Sequence, residues 1–122
     1  MKAIVGIESW SEMQTTARQV ARMLDAGEDP PEADYRLNFA DAAQLFSELT
    51  PARLRLLDTL KAIGPVSIYA LAKKLERNYS NVHTDVGRLV ELELIEKDAE
   101  NRVLVPWDAI QIQVTLDGSR AA

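Results

Sequence analysis

The chain contains no cysteine, which excludes a disulfide framework, a thiolate zinc site and a cysteine nucleophile. A single histidine, His83, leaves histidine metal clusters and catalytic triads short of members. The five glycines are scattered, so no glycine-rich loop is available to cradle a phosphate. No run approaches the ~20 apolar residues of a membrane span. The opening Met-Lys-Ala-Ile-Val-Gly-Ile-Glu is too short an apolar run for a signal peptide. These absences lead to the expectation of a cytoplasmic protein that is not an enzyme and carries no cofactor, metal or membrane segment.

An overall basic charge is also lacking: 14 Lys and Arg face 19 Asp and Glu, a net charge of −5. The imbalance is uneven along the chain. Residues 51–90 hold seven basic against three acidic residues, whereas residues 1–50 hold four against nine and residues 91–122 three against seven. A basic block between two acidic ones gives a local positive face, and the local face is what a polyanion meets, because fields decay within about 10 Å in salt. Ordinary charge scatter would also produce such a block. At 122 residues the chain is long enough to bury a core without a metal or disulfide.

Residues 2–8 alternate as a short strand with Ala3, Val5 and Ile7 on one face. Ser9 or Ser11 is placed to cap a helix whose stripe is Met13, Ala17, Val20, Ala21 and Leu24, and Gly27 ends it. Glu28-Asp29-Pro30-Pro31-Glu32 forbids further helix and reads as the linker of the chain. Tyr35, Leu37 and Phe39 form a second short strand, and Asp41 caps a brief helix with Leu45, Phe46 and Leu49.

From residue 50 the punctuation becomes regular. Thr50-Pro51 starts a helix with Leu56, Leu57, Leu60 and Ile63 inward, and Gly64-Pro65 stops it. Ser67 caps the next, with Ile68, Leu71, Ala72 and Leu75 at helical spacing. After a break at Arg77-Asn78-Tyr79, Ser80 caps a third helix with Val82, Val86, Leu89 and Val90 on one face. A polar hairpin over 96–102 leads into Val103-Leu104-Val105. Its carboxylates Glu96, Asp98 and Glu100 read as solvated rather than as a calcium site. Ile110, Ile112, Val114 and Leu116 then alternate with polar residues as a half-buried strand.

Three short capped helices followed by a β-hairpin is the order of a winged helix-turn-helix, whose third helix buries one side and offers the other to the major groove. At 3.6 residues per turn, the side opposite Val82, Val86, Leu89 and Val90 carries Ser80, Asn81, Thr84, Gly87 and Arg88, with His83 at its margin. These are the expected base-reading residues. Asn reads adenine, Arg reads guanine, and Thr offers a hydroxyl and a methyl. Gly87 is a poor helix former, costing about 1 kcal/mol against Ala, and close approach to another surface would account for it. Phosphate contacts are expected from Arg53, Ser67, Lys73, Lys74, Arg77 and Tyr79, and from Lys97 and Arg102 on the wing; such contacts position without reading sequence.

Residues 50–106, TPARLRLLDTLKAIGPVSIYALAKKLERNYSNVHTDVGRLVELELIEKDAENRVLVP, resemble MarR/ArsR-like winged-helix regulators. With the preceding strand–helix and Pro106-Trp107 after the wing, the whole chain resembles a prokaryotic family of short transcriptional regulators. Some relatives in that family are encoded beside small toxins and are read as antitoxins. The resemblance implies a sequence-specific regulator of double-stranded DNA, a repressor acting as a homodimer, with a toxin as a further partner in the antitoxin case. Family members often have a basic residue where Gly87 stands.

The expected fold class is α+β: residues 1–49 an N-terminal strand–helix extension for dimerisation or partner binding, 50–106 the winged helix-turn-helix, 107–122 a C-terminal strand and tail. The terminal strands either build a sheet shared between two copies or close the monomer's own sheet. A different class of function stays open as well, a protein-interaction module in which the winged helix is a scaffold and the acidic regions bind a basic partner.

Overall fold

The structure, a computed structural model, describes residues 1–7, 10–29 and 34–118, with backbone alone for residues 10–13. The expected cap at Ser9, the side chains of Trp10 and Met13, the prolines of the linker and the last four residues of the tail lie outside that description; Ser11, the other expected cap, falls inside helical backbone rather than before it. The elements run β1 (Lys2–Ile7), α1 (Trp10–Asp25), β2 (Tyr35–Phe39), α2 (Ala42–Glu48), α3 (Pro51–Ile63), α4 (Ile68–Leu75), α5 (Tyr79–Glu91), β3 (Glu96–Lys97), β4 (Val103–Leu104) and β5 (Ala109–Gln113). This is an α+β fold with five helices among the described residues. It divides into two compact units, Met1–Ser47 with the segment from Ala109 onward, and Glu48–Asp108.

The first unit is built on a three-stranded sheet in the order β2-β1-β5. Both pairings are parallel, Val5 lying opposite Leu37 on one side and Ile112 on the other. Parallel neighbours need a long crossover, which α1 supplies between β1 and β2. Ala3 and Val5 on the central strand are buried, with Phe39 and Leu45. The terminal strands therefore pair within one chain, the arrangement in which they close the monomer's own sheet. The C-terminal strand is also shorter and barer than its alternation suggests. It ends at Gln113, with Ile112 half-buried at best and Leu116 83% exposed, because β5 is an edge strand with one neighbour.

The second unit has the element order of a winged helix. Thr50 caps α3, its Oγ1 accepting from Arg53 N, with Pro51 in the first turn. Gly64 stops the helix at a φ of 79°, a conformation that side chains other than glycine rarely adopt. Ser67 Oγ accepts from Ala70 N and caps α4. Leu56, Leu57 and Leu60 from α3, Leu71 and Ala72 from α4, and Val82, Val86 and Leu89 from α5 are buried together with Leu92, Leu94, Ile95, Val103 and Val105. Ile63, expected inward, is 38% exposed, since α3 ends on it and its side chain has no following turn to pack beneath. Phe46 is exposed too, while Leu45 and Leu49 beside it are buried.

Between α4 and α5 the chain turns through residues 76–78. Glu76 takes the left-handed conformation that closes α4, and Asn78 caps α5, its Oδ1 accepting from Ser80 N at 2.9 Å and Asn81 N at 3.3 Å. The expected cap at Ser80 is thereby corrected: Asn78 reaches the free amides first, and Ser80 lies inside the helix. The wing is the antiparallel pair β3–β4, joined by Val66, which exchanges hydrogen bonds with Val103 at 3.1 and 2.7 Å. Asp98 holds its tip, Oδ1 accepting from the backbone of Glu100 and Arg102. No helix among the described residues is long and apolar enough to cross a membrane.

Candidate nucleic-acid interface

Helix α5 buries Val82, Val86 and Leu89 and leaves Tyr79, Ser80, Asn81, His83, Thr84, Gly87 and Glu91 exposed. The Thr84 hydroxyl donates to Ser80 O at 3.1 Å, so it offers outward a methyl group and acceptor lone pairs rather than a donor. A Cβ added at Gly87 would meet nothing within 4 Å; the middle of the helix presents bare backbone to its surroundings. Asn81 and Ser80 supply the polar side chains of the first turn.

The arginines expected to meet DNA are held by ion pairs within the chain. Arg88 turns back onto the end of α2: its Nε and Nη2 each donate to Glu48 at 2.8 Å, and Nη1 donates to Glu91 at 2.9 Å. Those hydrogen bonds hold the Glu48 carboxyl below its ordinary value and raise the Arg88 guanidinium further above its own. Arg53 Nε and Arg77 Nη2 close on the two oxygens of Asp85 at 3.0 and 2.7 Å. Burial pushes the Asp85 carboxyl up, but the hydrogen bonds from Arg77 and then Arg53 outweigh it, and the net shift is downward. Arg53 also donates to the Glu48 backbone carbonyl at 2.9 Å. A chain of charges thus runs Arg77–Asp85–Arg53–Glu48–Arg88–Glu91 and ties α3, α5 and the α4–α5 turn together.

On the wing, Arg102 is drawn inward in the same way, to Asp98 at 2.9 Å and Glu100 at 3.2 Å. The expected base reader Arg88 and the expected phosphate contacts Arg53, Arg77 and Arg102 each have the guanidinium against a carboxylate of their own chain. The lysines differ. Among the described residues no carboxylate lies within 4.0 Å of Lys73, Lys74 or Lys97. Lys73 Nζ sits 5.3 Å from the ring centre of Tyr69, a cation–π distance.

Tyr69 and Glu48 are the residues that sequence reasoning missed. The Tyr69 ring lies 6.5 Å from that of Tyr79, which lies 5.9 Å from His83, so three rings step along the surface from α4 to the first turns of α5. Tyr69 is 61% and Tyr79 49% exposed. An aromatic on the polar side of an amphipathic helix was the signal available for Tyr69; Glu48 gave none. Trp107, by contrast, is anchored by its indole N–H to Glu93 O at 3.0 Å.

These features define the class: an α+β protein whose second unit carries three helices and a small hairpin in winged-helix order, with a polar outward face on α5. The model of the HVO_A0114 family matches residues 48–112, more than half of the chain, and the chain belongs to the HVO_A0114 family. Among solved structures, the multiple antibiotic-resistance repressor (MarR) of Listeria monocytogenes is similar at 21% identity and a TM-score of 0.44, over 78% of this chain and 59% of that one. The chain thus spans less than two thirds of that repressor. No curated protein matches it.

Proposed function

We propose that the Glu48–Asp108 unit binds double-stranded DNA, with α5 in the major groove, and that the protein acts as a transcriptional repressor. The observation that carries this reading is the outward face of α5. Its exposed residues Ser80, Asn81, His83, Thr84 and Gly87 are small or hydrogen-bonding, as a groove-reading helix requires. Lys73 and Lys74 at the end of α4 and Lys97 on the wing are exposed, with charge that no carboxylate among the described residues neutralises. Tyr79 adds a phenol at the rim and Ser67 a hydroxyl at the α4 cap. Repressors of this size pair to match two-fold operators, and the second copy is proposed to meet this one along α1, where Val20 and Leu24 are exposed.

Fluorescence anisotropy tests the reading directly. The protein should prefer duplex from upstream of its own gene over random duplex, with log K falling linearly in log salt at about −0.9 per neutralised phosphate. Equal affinity for both duplexes at low salt would overturn the repressor reading.

A further inference from the structure

Two features of the α5 face say which base pairs it can read. The first is the fate of the arginines. Bidentate reading of guanine is the commonest specific contact in the major groove and needs a guanidinium or ammonium aimed at the base. On α5 that group would be Arg88, but its Nε, Nη1 and Nη2 all donate to Glu48 and Glu91 at 2.8–2.9 Å. Arg53 and Arg77 are closed on Asp85. The face is left without an arginine free to meet guanine among the described residues.

The second feature is the ring ladder. Tyr69, Tyr79 and His83 succeed one another at 6.5 and 5.9 Å, and the two tyrosines are half exposed or more. Tyr79 opens α5 and His83 stands one turn on, at the N-terminal end of the helix that in this class of motif contacts base edges. Lys73 beside Tyr69 and the neighbouring Lys74 border the ladder with positive charge, so its occupant is a polyanion that also presents small apolar groups. In the major groove the thymine methyl is such a group. Asn81, in the same two turns of α5 but at the opposite margin of its outward face, is exposed and has no side-chain partner among the described residues, and carboxamides read adenine.

Resting on the DNA-binding reading, we propose that α5 reads A·T pairs: Asn81 takes adenine, and the rings of Tyr79 and His83 cover thymine methyl groups. Glu48 acts as a specificity-determining residue by withholding Arg88 from guanine. Both observations point the same way, one by removing the guanine reader and the other by supplying an apolar surface at the right end of the helix.

The test starts from selection on a random duplex pool with the full chain, followed by resynthesis of an enriched site with uracil for every thymine. That replacement removes the methyl and leaves base pairing and phosphates as they were. Enriched sites are expected to be A·T at their centres, and affinity should fall about fourfold for each covered methyl that is lost. Tyr79→Ser should bind the thymine and uracil duplexes alike, while Tyr79→Phe keeps the preference. Circular dichroism of both variants should match that of the parent, Tyr79 being exposed. Equal affinity of the parent chain for thymine and uracil duplexes, or enrichment of G·C-centred sites, overturns this proposal and leaves DNA binding standing. Retention of no duplex at all overturns DNA binding and this proposal with it.

Discussion

Glu48, the last residue of α2, and Arg88, three residues from the end of α5, are forty positions apart in sequence and joined by two parallel hydrogen bonds of 2.8 Å. The fork of a guanidinium matches a carboxylate in the way it would match a guanine edge or a phosphate. Glu48 and DNA are therefore rivals for the same donor. Glu48→Ala releases one positive charge onto the α5 face. The salt slope of binding to random duplex should steepen by about 0.9, one further phosphate, as read by anisotropy across a salt series. An unchanged slope would mean that Glu91 alone holds Arg88. Arg88→Ala, in turn, should leave base preference as it is.

Asp85 carries a different kind of consequence, because its side chain is 15% exposed and serves two arginines at once. Asp85→Asn leaves Arg53 and Arg77 short of a counter-charge, and Arg77 Nη1 is already buried without a partner. The variant should lose about 2 kcal/mol in urea denaturation near neutral pH. The folded carboxyl titrates below its ordinary value. Its contribution is hence fully present above the unfolded value of about 3.9 and is lost as pH falls from there through the lower folded value. Stability of Asp85→Asn should fall less steeply below pH ~4 than that of the parent. Parallel acid profiles would show that Glu48 and Asp98, whose carboxyls are lowered too, account for the acid sensitivity.

Gly87 separates stability from binding. A Cβ there meets nothing within 4 Å, and alanine is favoured over glycine inside a helix by about 1 kcal/mol. Gly87→Ala should raise the thermal midpoint and at the same time weaken DNA binding, since the added methyl projects from the face proposed to enter the groove. A stabilised variant that binds DNA as tightly as the parent would show that the middle of α5 does not press against the duplex.

Base readers and phosphate contacts part company in their response to sequence. Asn81→Ala should lose about 1–3 kcal/mol on the preferred duplex and little on random DNA. Lys74→Ala should weaken both alike and flatten the salt slope by about 0.9. Equal losses on the two duplexes for Asn81→Ala would show that this residue does not read bases.

How much of this was legible in the sequence follows from the range of each interaction. Thr50-Pro51, Gly64-Pro65 and Ser67 act within a turn of themselves, and the helix ends they mark stand where they were expected. Asn78 and Ser80 are both good caps two residues apart, and only the turn geometry decides between them. Helical periodicity said which side of α5 faces out, but not that an outward arginine finds a carboxylate on another element. Arg88 meets Glu48 across forty positions, and Arg53 meets Asp85 across thirty-two. Alternation likewise announced the C-terminal strand and was silent about its neighbour. A parallel partner at the opposite end of the chain leaves no local trace.

The pairing of two copies is proposed to rest on α1. Once β1 has taken both β2 and β5 as neighbours, the terminal strands no longer need a second chain, but the helix between β1 and β2 still has an uncovered stripe. Leu24 is 58% and Val20 38% exposed, and Ala17 on the same side is exposed as well. Apolar residues three and four apart along one helix face are what a partner helix covers, and a second copy of α1 presents the identical stripe, as a two-fold contact requires. The full chain should run as a dimer in light scattering at tens of micromolar. Leu24→Glu places a charge on the most exposed residue of that stripe and should give a folded monomer with unchanged circular dichroism. Its DNA affinity should fall on a two-fold site and hold on a half-site. A parent chain that is monomeric sinks the idea, and a Leu24→Glu variant that stays dimeric moves the contact off α1.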